Sequence, residues 1–184
     1  MGQVRIIGGQ WRRRLLRVPS LPGLRPTPDR VRETLFNWLG QDLTGLACLD
    51  LFAGTGVLGF EAASRGAAAV VMVERAGAAF EALAANARAL GATQVELRRE
   101  DGLQFLPRDS RCFDVVFLDP PYSSGLLARA LALLEGRVSP GGRVYAESAS
   151  DVAPGDRWEI LRSGRAGQAH FALLAPAPDA AEPR

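Results

Sequence analysis

Lysine is absent from this sequence of 184 residues, so all 22 of its basic residues are arginines. No stretch approaches the roughly 18 consecutive apolar residues that a membrane-spanning helix needs. Arg5 and the arginines at 12–14 interrupt the place where a signal peptide would carry its apolar segment. We therefore expect a cytoplasmic protein with no membrane segment.

Cysteine and histidine are also scarce, which excludes several kinds of site. Cys48 and Cys112 each stand alone within an apolar strand pattern, so we expect two buried free thiols and neither a disulfide nor a metal site. His170 is the single histidine, and we expect a structural role for it. The sequence thus predicts no bound metal.

The remaining composition is that of an ordinary globular protein, with 47% hydrophobic and 23% charged residues. The length suits one domain, since domains run to about 100–200 residues. We expect a basic N-terminal segment at 1–40, a main domain at 41–175 and a frayed tail at 176–184, where the chain has little to bury. We expect the protein to act as a monomer.

Positive charge is concentrated near the N-terminus, although the net charge is only +2. The first 32 residues contain one acid, Asp29, against eight arginines: Arg5, Arg12, Arg13, Arg14, Arg17, Arg25, Arg30 and Arg32. Such a cluster is typical of a surface that binds a phosphate backbone. A solvated charged hairpin is the alternative.

The N-terminal segment has its own short elements. Two strands are predicted around a glycine turn at Gly8–Gly9, which leaves the arginines at 12–14 on an exposed ribbon. A proline-containing loop follows, and the triplet Thr27-Pro28-Asp29 is typical of a helix start. We expect Thr27 to be the N-cap of this helix and Pro28 its first residue.

From residue 46 onward, strands and helices alternate. The pattern predicts strands at 46–52, 69–74, 95–99, 113–119 and 142–147, with helices at 57–65, 76–90 and 126–134. Such alternation indicates an α/β fold with a parallel sheet between two layers of helices. Strands at 158–162 and 168–174 should form an antiparallel pair, which gives a mostly parallel sheet of seven strands.

Acids and glycines follow the first three strands of this sheet. The glycines of Gly54-Thr55-Gly56-Val57-Leu58-Gly59 also fit a dinucleotide-binding loop, but a carboxylate at Asp50 would repel a pyrophosphate. The same acid would attract the ammonium group of S-adenosylmethionine. Glu74 can accept hydrogen bonds from ribose hydroxyls, and Asp101-Gly102 can meet an adenine edge or form a plain surface loop.

The fourth strand ends in Asp119-Pro120-Pro121-Tyr122. Each residue before a proline is held extended, so the carbonyl of Pro120 has a nearly fixed direction. Asp119 adds a second acceptor, and Tyr122 offers a flat face on which a base can stack. This motif suits a planar ring with an exocyclic NH2 group; a proline turn beside a packed tyrosine is the alternative.

Together these segments resemble the RsmD family, the bacterial guanine-N2 methyltransferases of small-subunit ribosomal RNA. The resemblance covers nearly the whole chain, and its most specific part is Arg25-Pro26-Thr27 with the helix that follows. It implies a Rossmann-like class I methyltransferase fold, S-adenosylmethionine as the cofactor, and 16S ribosomal RNA in the small ribosomal subunit as the partner.

The resemblance also implies roles for individual residues. The catalytic set is Asp119, Pro120, Pro121 and Tyr122. The cofactor set is Asp50, Phe52, Gly54, Gly56, Glu74, Asp101 and Gly102. The RNA-binding set is Arg5, Arg12, Arg13, Arg14, Arg25, Thr27 and Arg30.

Three other functions remain open from the sequence. A methyltransferase for adenine N6 or for a protein amide would keep the fold and change the substrate. A nicotinamide-dependent oxidoreductase is disfavoured by Asp50. A non-catalytic RNA-binding assembly factor would not need an intact set of cofactor residues.

Overall fold

The computed structural model describes residues 2–122 and 125–178. The strands in this part of the chain are β1 (Gly2–Arg5), β2 (Leu15–Val18), β3 (Ala47–Asp50), β4 (Ala69–Val73), β5 (Val95–Arg98), β6 (Phe113–Leu118), β7 (Val138–Ser148), β8 (Trp158–Ala166) and β9 (Ala169–Pro176). The helices are α1 (Asp29–Leu39), α2 (Val57–Ser64), α3 (Gly77–Leu90), α4 (Gly102–Arg108) and α5 (Leu126–Leu133).

Seven strands form one sheet in the order β5-β4-β3-β6-β7-β9-β8. The strands from β3 to β7 are mutually parallel, whereas β9 is antiparallel to β7 and to β8. The predicted mostly parallel sheet of seven strands is therefore confirmed. The chain leaves β3 towards β4 and later returns to the other side of β3 at β6, so a crevice opens between their carboxyl ends.

Helices cover both faces of the sheet because the central strands are apolar on both sides. Cys48 and Phe117 belong to the core that packs against α1, α2, α3 and the β1–β2 hairpin. Leu49 and Val116 belong to the opposite core, which α4 and α5 cover. Near-continuous apolar runs are typical of parallel strands that are buried on both faces.

One helix, α4, was not predicted from the sequence. Asp101 caps it by accepting a hydrogen bond from the backbone N–H of Leu103 at 2.9 Å. The helix has only 7 residues and contains Pro107. A segment this short shows no clear helical periodicity, so the capping aspartate is the one signal that could have located it.

A β1–β2 hairpin forms, as predicted, but the arginines at 12–14 lie in the connection between its strands and not on the second strand. Hydrogen bonds fix the hairpin to the main domain. The backbone N–H groups of Ile7 and Gly8 donate to the carboxylate of Glu61 on α2 at 3.0 and 2.7 Å. Asn86 on α3 accepts from the N–H of Arg17 at 3.0 Å and donates to its carbonyl at 2.9 Å. The basic segment is thus a docked part of the fold.

Arg32 is completely buried, so it does not belong to the predicted basic surface. Its guanidinium pairs with Glu61 at 3.0 Å and with Asp29 at 2.5 Å. It also donates to the carbonyl of Thr27 at 3.1 Å and to that of Arg5 at 3.0 Å. One buried cation therefore ties the hairpin, the loop before α1, and α2 together.

The predicted start of α1 is wrong by one residue. The helix begins at Asp29, and Pro28 occupies the N-cap position without a side-chain capping bond. Thr27 is not the N-cap. Its hydroxyl bonds elsewhere, to the carboxylate of Asp119.

The two cysteines are free thiols, as predicted, but only one is buried. Burial raises the pKa of the Cys48 thiol to about 12. Cys112 is exposed, contrary to the prediction, because it precedes β6 and does not belong to it.

His170 contacts Asp151 at 2.7 Å. Among the described residues, no group of three or more His, Cys, Asp or Glu could hold a metal ion.

The predicted frayed tail at 176–184 begins inside β9. Pro176 is the last residue of that strand, and the N–H of Ala177 donates to the carbonyl of Arg157 at 2.8 Å. Residues 179–184 lie outside the described part of the chain. In the part that is described, every helix is too short or too polar to cross a membrane.

We predict that Arg32→Met lowers the free energy of unfolding by about 3–5 kcal/mol, because it leaves the buried Glu61 carboxylate without one of its cations. Chemical denaturation monitored by circular dichroism would measure the change. Arg30→Met is the matched control, since Arg30 is exposed on the same helix and should change stability by no more than about 0.5 kcal/mol. Equal losses in the two variants would contradict a structural role for the buried pair.

Candidate active site

A cleft of about 810 Å³ opens at the carboxyl ends of the parallel strands. It is lined by the residues that follow four successive strands of the sheet, at 50–55, 74–76, 100–102 and 119–122. The loop at 21–28, from the N-terminal segment, also lines it. The predicted cofactor and catalytic residues therefore border one cavity, except Gly56, which lies just outside its lining.

The loop between β3 and α2 contains two glycines, Gly54 and Gly56, whose backbone φ angles are positive. Gly54 has a φ of +53°, and its N–H donates to Glu74 at 2.8 Å. Gly56 has a φ of +78°, and a Cβ added there would lie 2.3 Å from the side chain of Leu83. Gly56 is thus required by backbone conformation and by packing against α3.

Asp50 lies at the end of β3 and is almost completely buried. It accepts a hydrogen bond from the N–H of Gly59 in the first turn of α2 at 3.0 Å. Burial raises the pKa of Asp50 to about 7; the Gly59 bond opposes the shift, and the charge of Glu74 adds to it. A positive charge brought into the cleft would favour the ionised form of this acid.

Glu74 and Asp101 hold the loops that follow β4 and β5. Besides its bond to Gly54, Glu74 accepts from the N–H of Ala76 at 2.6 Å. Asp101 caps α4 and lies 3.7 Å from the guanidinium of Arg75. A Cβ at Gly102 would lie 2.7 Å from the carbonyl oxygen of Leu51, so this position has no room for a side chain. Phe52 borders the cleft beside these acids.

The lining of the cleft is strongly acidic. It has two arginines, Arg25 and Arg75, against six acids, which are Asp50, Glu74, Glu100, Asp101, Asp119 and Glu147. Such a cavity repels pyrophosphate and attracts a cation. Its volume is within the range of about 300–1,000 Å³ that ligand pockets occupy. The residues present therefore fit a cationic cofactor of the size of S-adenosylmethionine.

Asp119 follows β6 and faces two other acids across the cleft. Burial, then the charges of Glu147 and Asp50, raise the pKa of Asp119 to about 8. The hydroxyl of Thr27 donates to its Oδ2 at 3.2 Å, which opposes the shift. Asp119 is thus a more basic carboxylate than usual.

Tyr122 lies at the mouth of the cleft, with its side chain 46% exposed. Its hydroxyl donates to the carboxylate of Glu147, which also accepts from Tyr145 at 2.7 Å. Pro120 is buried and Pro121 is exposed, so the motif leaves the core between them. One face of the Tyr122 ring can therefore meet a planar ligand while its hydroxyl stays anchored.

Glu147 borders the cleft but was not predicted from the sequence as a site residue. It lies near the end of β7, and only 5% of it is exposed. The strand was predicted to end at this residue, so an acid at the carboxyl end of a fifth parallel strand was the available signal. Tyr145 lies two residues earlier on the same strand, but the contact with Tyr122 joins distant segments and could not be predicted from the sequence pattern.

The predicted RNA-binding arginines occupy two regions. Arg25 borders the cleft, whereas Arg30 and the arginines at 12–14 are exposed outside it. Arg14 donates to the carbonyl of Ala89 at 3.1 Å, and Arg5 lies 3.7 Å from Asp29. Thr27, by contrast, is buried and faces Asp119.

The sequence matches the conserved hypothetical protein 95 family over residues 4–175. It is 43% identical to ribosomal RNA small subunit methyltransferase D of Escherichia coli over 178 residues, which cover 94% of this chain and 89% of that protein. It is 41% identical to the protein of the same name from Haemophilus influenzae over 181 residues, which cover 94% and 93% of the two chains.

Comparison with solved structures indicates the same family. The structure superposes on that of the protein yhhF from Escherichia coli with a TM-score of 0.87 and 38% identity, covering 95% of this chain and 98% of that one. The chain therefore belongs to the conserved hypothetical protein 95 family, also called the RsmD family, and has the Rossmann-like fold of class I methyltransferases.

Proposed function

We propose that this protein transfers a methyl group from S-adenosylmethionine to the exocyclic N2 of a guanine in 16S ribosomal RNA of the small ribosomal subunit. The observation that carries the proposal is the single cleft that joins the acidic cofactor residues to Asp119-Pro120-Pro121-Tyr122. The relatives named as ribosomal RNA small subunit methyltransferases support the same substrate class.

The cofactor assignment rests on charge and loop geometry. Asp50 would hold the amino group of the methionine portion, Glu74 the ribose hydroxyls, and Asp101 the adenine edge. Because glycine has no side chain, the loop at 54–56 allows the cofactor to approach its backbone closely. When bound there, S-adenosylmethionine supplies an electrophilic methyl group and a positive charge.

The acceptor amine would be held by Asp119 and by the carbonyl of Pro120. Guanine N2 is a weak nucleophile because its lone pair is delocalised into the ring. Two acceptors for its N–H groups favour a pyramidal nitrogen and stabilise the positive charge that grows on it during transfer. The nitrogen then loses one proton, and Asp119, whose pKa is raised to about 8, can accept it.

Tyr122 would support the target base once it has left the RNA stack. An enzyme that reacts at a base edge must expose that edge, and aromatic faces hold extruded bases. The bond between the Tyr122 hydroxyl and Glu147 fixes the ring at the cleft mouth. The exposed arginines of the hairpin would hold the surrounding phosphates.

The proposal is tested in two steps. Calorimetry should first detect binding of S-adenosylmethionine, and reaction with small-subunit RNA should then yield N2-methylguanosine on nucleoside mass spectrometry. Recovery of N6-methyladenosine would assign the adenine alternative, which the same pair of acceptors could serve. Cofactor binding without methylation of RNA or small subunits would contradict the proposed substrate.

Asp119→Ala is expected to lower the single-turnover rate by at least about a hundredfold, because the amine loses its charged acceptor. Calorimetric affinity for S-adenosylmethionine should stay largely intact. Asp156→Ala is the control, since Asp156 is exposed and outside the cleft. A rate near that of the control would remove Asp119 from its role.

Tyr122→Ala should weaken RNA binding by about 1–3 kcal/mol if a base stacks on the ring. Tyr122→Phe keeps the ring and loses only the bond to Glu147, so its loss should be smaller. Fluorescence anisotropy with a labelled RNA fragment would compare the two. Equal losses would place the effect in the hydroxyl and not in stacking.

Replacing Arg12, Arg13 and Arg14 by alanine should weaken RNA binding and flatten its dependence on salt. Each phosphate that the protein no longer neutralises reduces the slope of log K against log salt by about 0.7–0.9. Cofactor affinity should not change. The matched triple variant removes exposed arginines elsewhere: Arg129, Arg157 and Arg162. An unchanged slope for the hairpin variant would show that the hairpin does not touch phosphate.

A further inference from the structure

Thr27 makes a long-range contact with the proposed catalytic acid. Its hydroxyl donates to Oδ2 of Asp119 at 3.2 Å, although the two residues are 92 positions apart in sequence. Only 5% of Thr27 is exposed. In residues 2–122 and 125–178, it is the one side chain that donates a hydrogen bond to this carboxylate.

The position of Thr27 is fixed from behind by Arg32. The guanidinium Nε donates to the Thr27 carbonyl at 3.1 Å. The same guanidinium also bonds to the carbonyl of Arg5 and to Glu61, so it cannot shift without breaking buried contacts. Pro28 adds stiffness, since a residue before proline is held extended.

The surroundings of Asp119 otherwise disfavour its ionised form. Glu147 and Asp50 face it with negative charge. The hydroxyls of Tyr122 and Tyr145 donate to Glu147 and not to Asp119. Thr27 is therefore the group in the described structure that stabilises the carboxylate directly.

We propose that Thr27 is a positioning residue for methyl transfer: its hydroxyl orients the Asp119 carboxylate and leaves Oδ1 to accept the amine of the target base. This role rests on the proposed function, since it concerns the same acceptor. It also makes the geometry of Asp119 depend on the N-terminal segment, because Arg32 joins Thr27 to the hairpin.

These contacts determine whether a substitution at Thr27 or Glu147 raises or lowers the pKa of Asp119. A hydrogen bond to the ionised form lowers a pKa, so removing the Thr27 hydroxyl should raise the pKa of Asp119 above its value of about 8. Glu147→Gln should do the opposite, because it removes a facing negative charge. If transfer needs the ionised acid, the acid limb of the pH–rate profile should move with these shifts.

The test compares Thr27→Val, which keeps the shape and loses the donor, with Thr27→Ser, which keeps the donor. Carboxyl carbon NMR of the ligand-free protein would titrate Asp119, and single-turnover methylation would give the pH–rate profile. We expect Thr27→Val to raise both midpoints by about one pH unit and to slow transfer at pH 7 by about tenfold. Thr27→Ser should restore both, and Glu147→Gln should lower the Asp119 midpoint.

Circular dichroism would show whether Thr27→Val keeps the fold, and Thr27→Ala serves as a second donorless variant. An Asp119 titration that is unchanged in both folded variants would overturn the proposal. A raised Asp119 midpoint combined with an unchanged transfer rate and pH–rate profile would also overturn it. If the wild-type protein methylates no guanosine, the proposed function fails, and the titration alone still decides whether Thr27 acts on Asp119.

Discussion

Three carboxylates share one cleft, and their burial, together with the repulsion between neighbouring acids, governs the site. Burial and neighbouring charge raise the pKa of Asp50 to about 7 and that of Asp119 to about 8, against an ordinary value of 3.8. Glu147 adds a third acid, held by two tyrosine hydroxyls. A ligand with a positive charge relieves this repulsion, so the cleft selects a cation before any detailed fit is considered.

A second buried cluster, of opposite character, holds the N-terminal segment in place. Arg32 and Arg65 neutralise Glu61, whose remaining lone pairs accept from the backbone of the hairpin. Breaking such a cluster is costly because it would leave a charge buried alone. The loop at 21–28 of this segment therefore lines the cleft together with the loops of the sheet, and it contributes Thr27.

The sequence predicted the sheet and most of the acids that line the cleft, because both depend on local patterns. Apolar runs located each central strand, and the acid at each strand end then had to lie at the same edge. Contacts between segments that are distant in sequence could not be predicted. These are the bond between Tyr122 and Glu147, the bond between Thr27 and Asp119, and the burial of Arg32 beside the hairpin. The threonine was expected to cap α1 because its local sequence fits a cap, but the cleft carboxylate competes for the same hydroxyl.

The raised pKa values tie the site to stability. A carboxyl group whose pKa is higher in the folded state stabilises the fold at low pH, and this contribution is lost as pH rises from about 4 to the folded value of about 7 for Asp50 and about 8 for Asp119. These two acids therefore contribute less stability at neutral pH than at about pH 4. A cation that binds Asp50 would lower the pKa of that acid and offset its part of the loss.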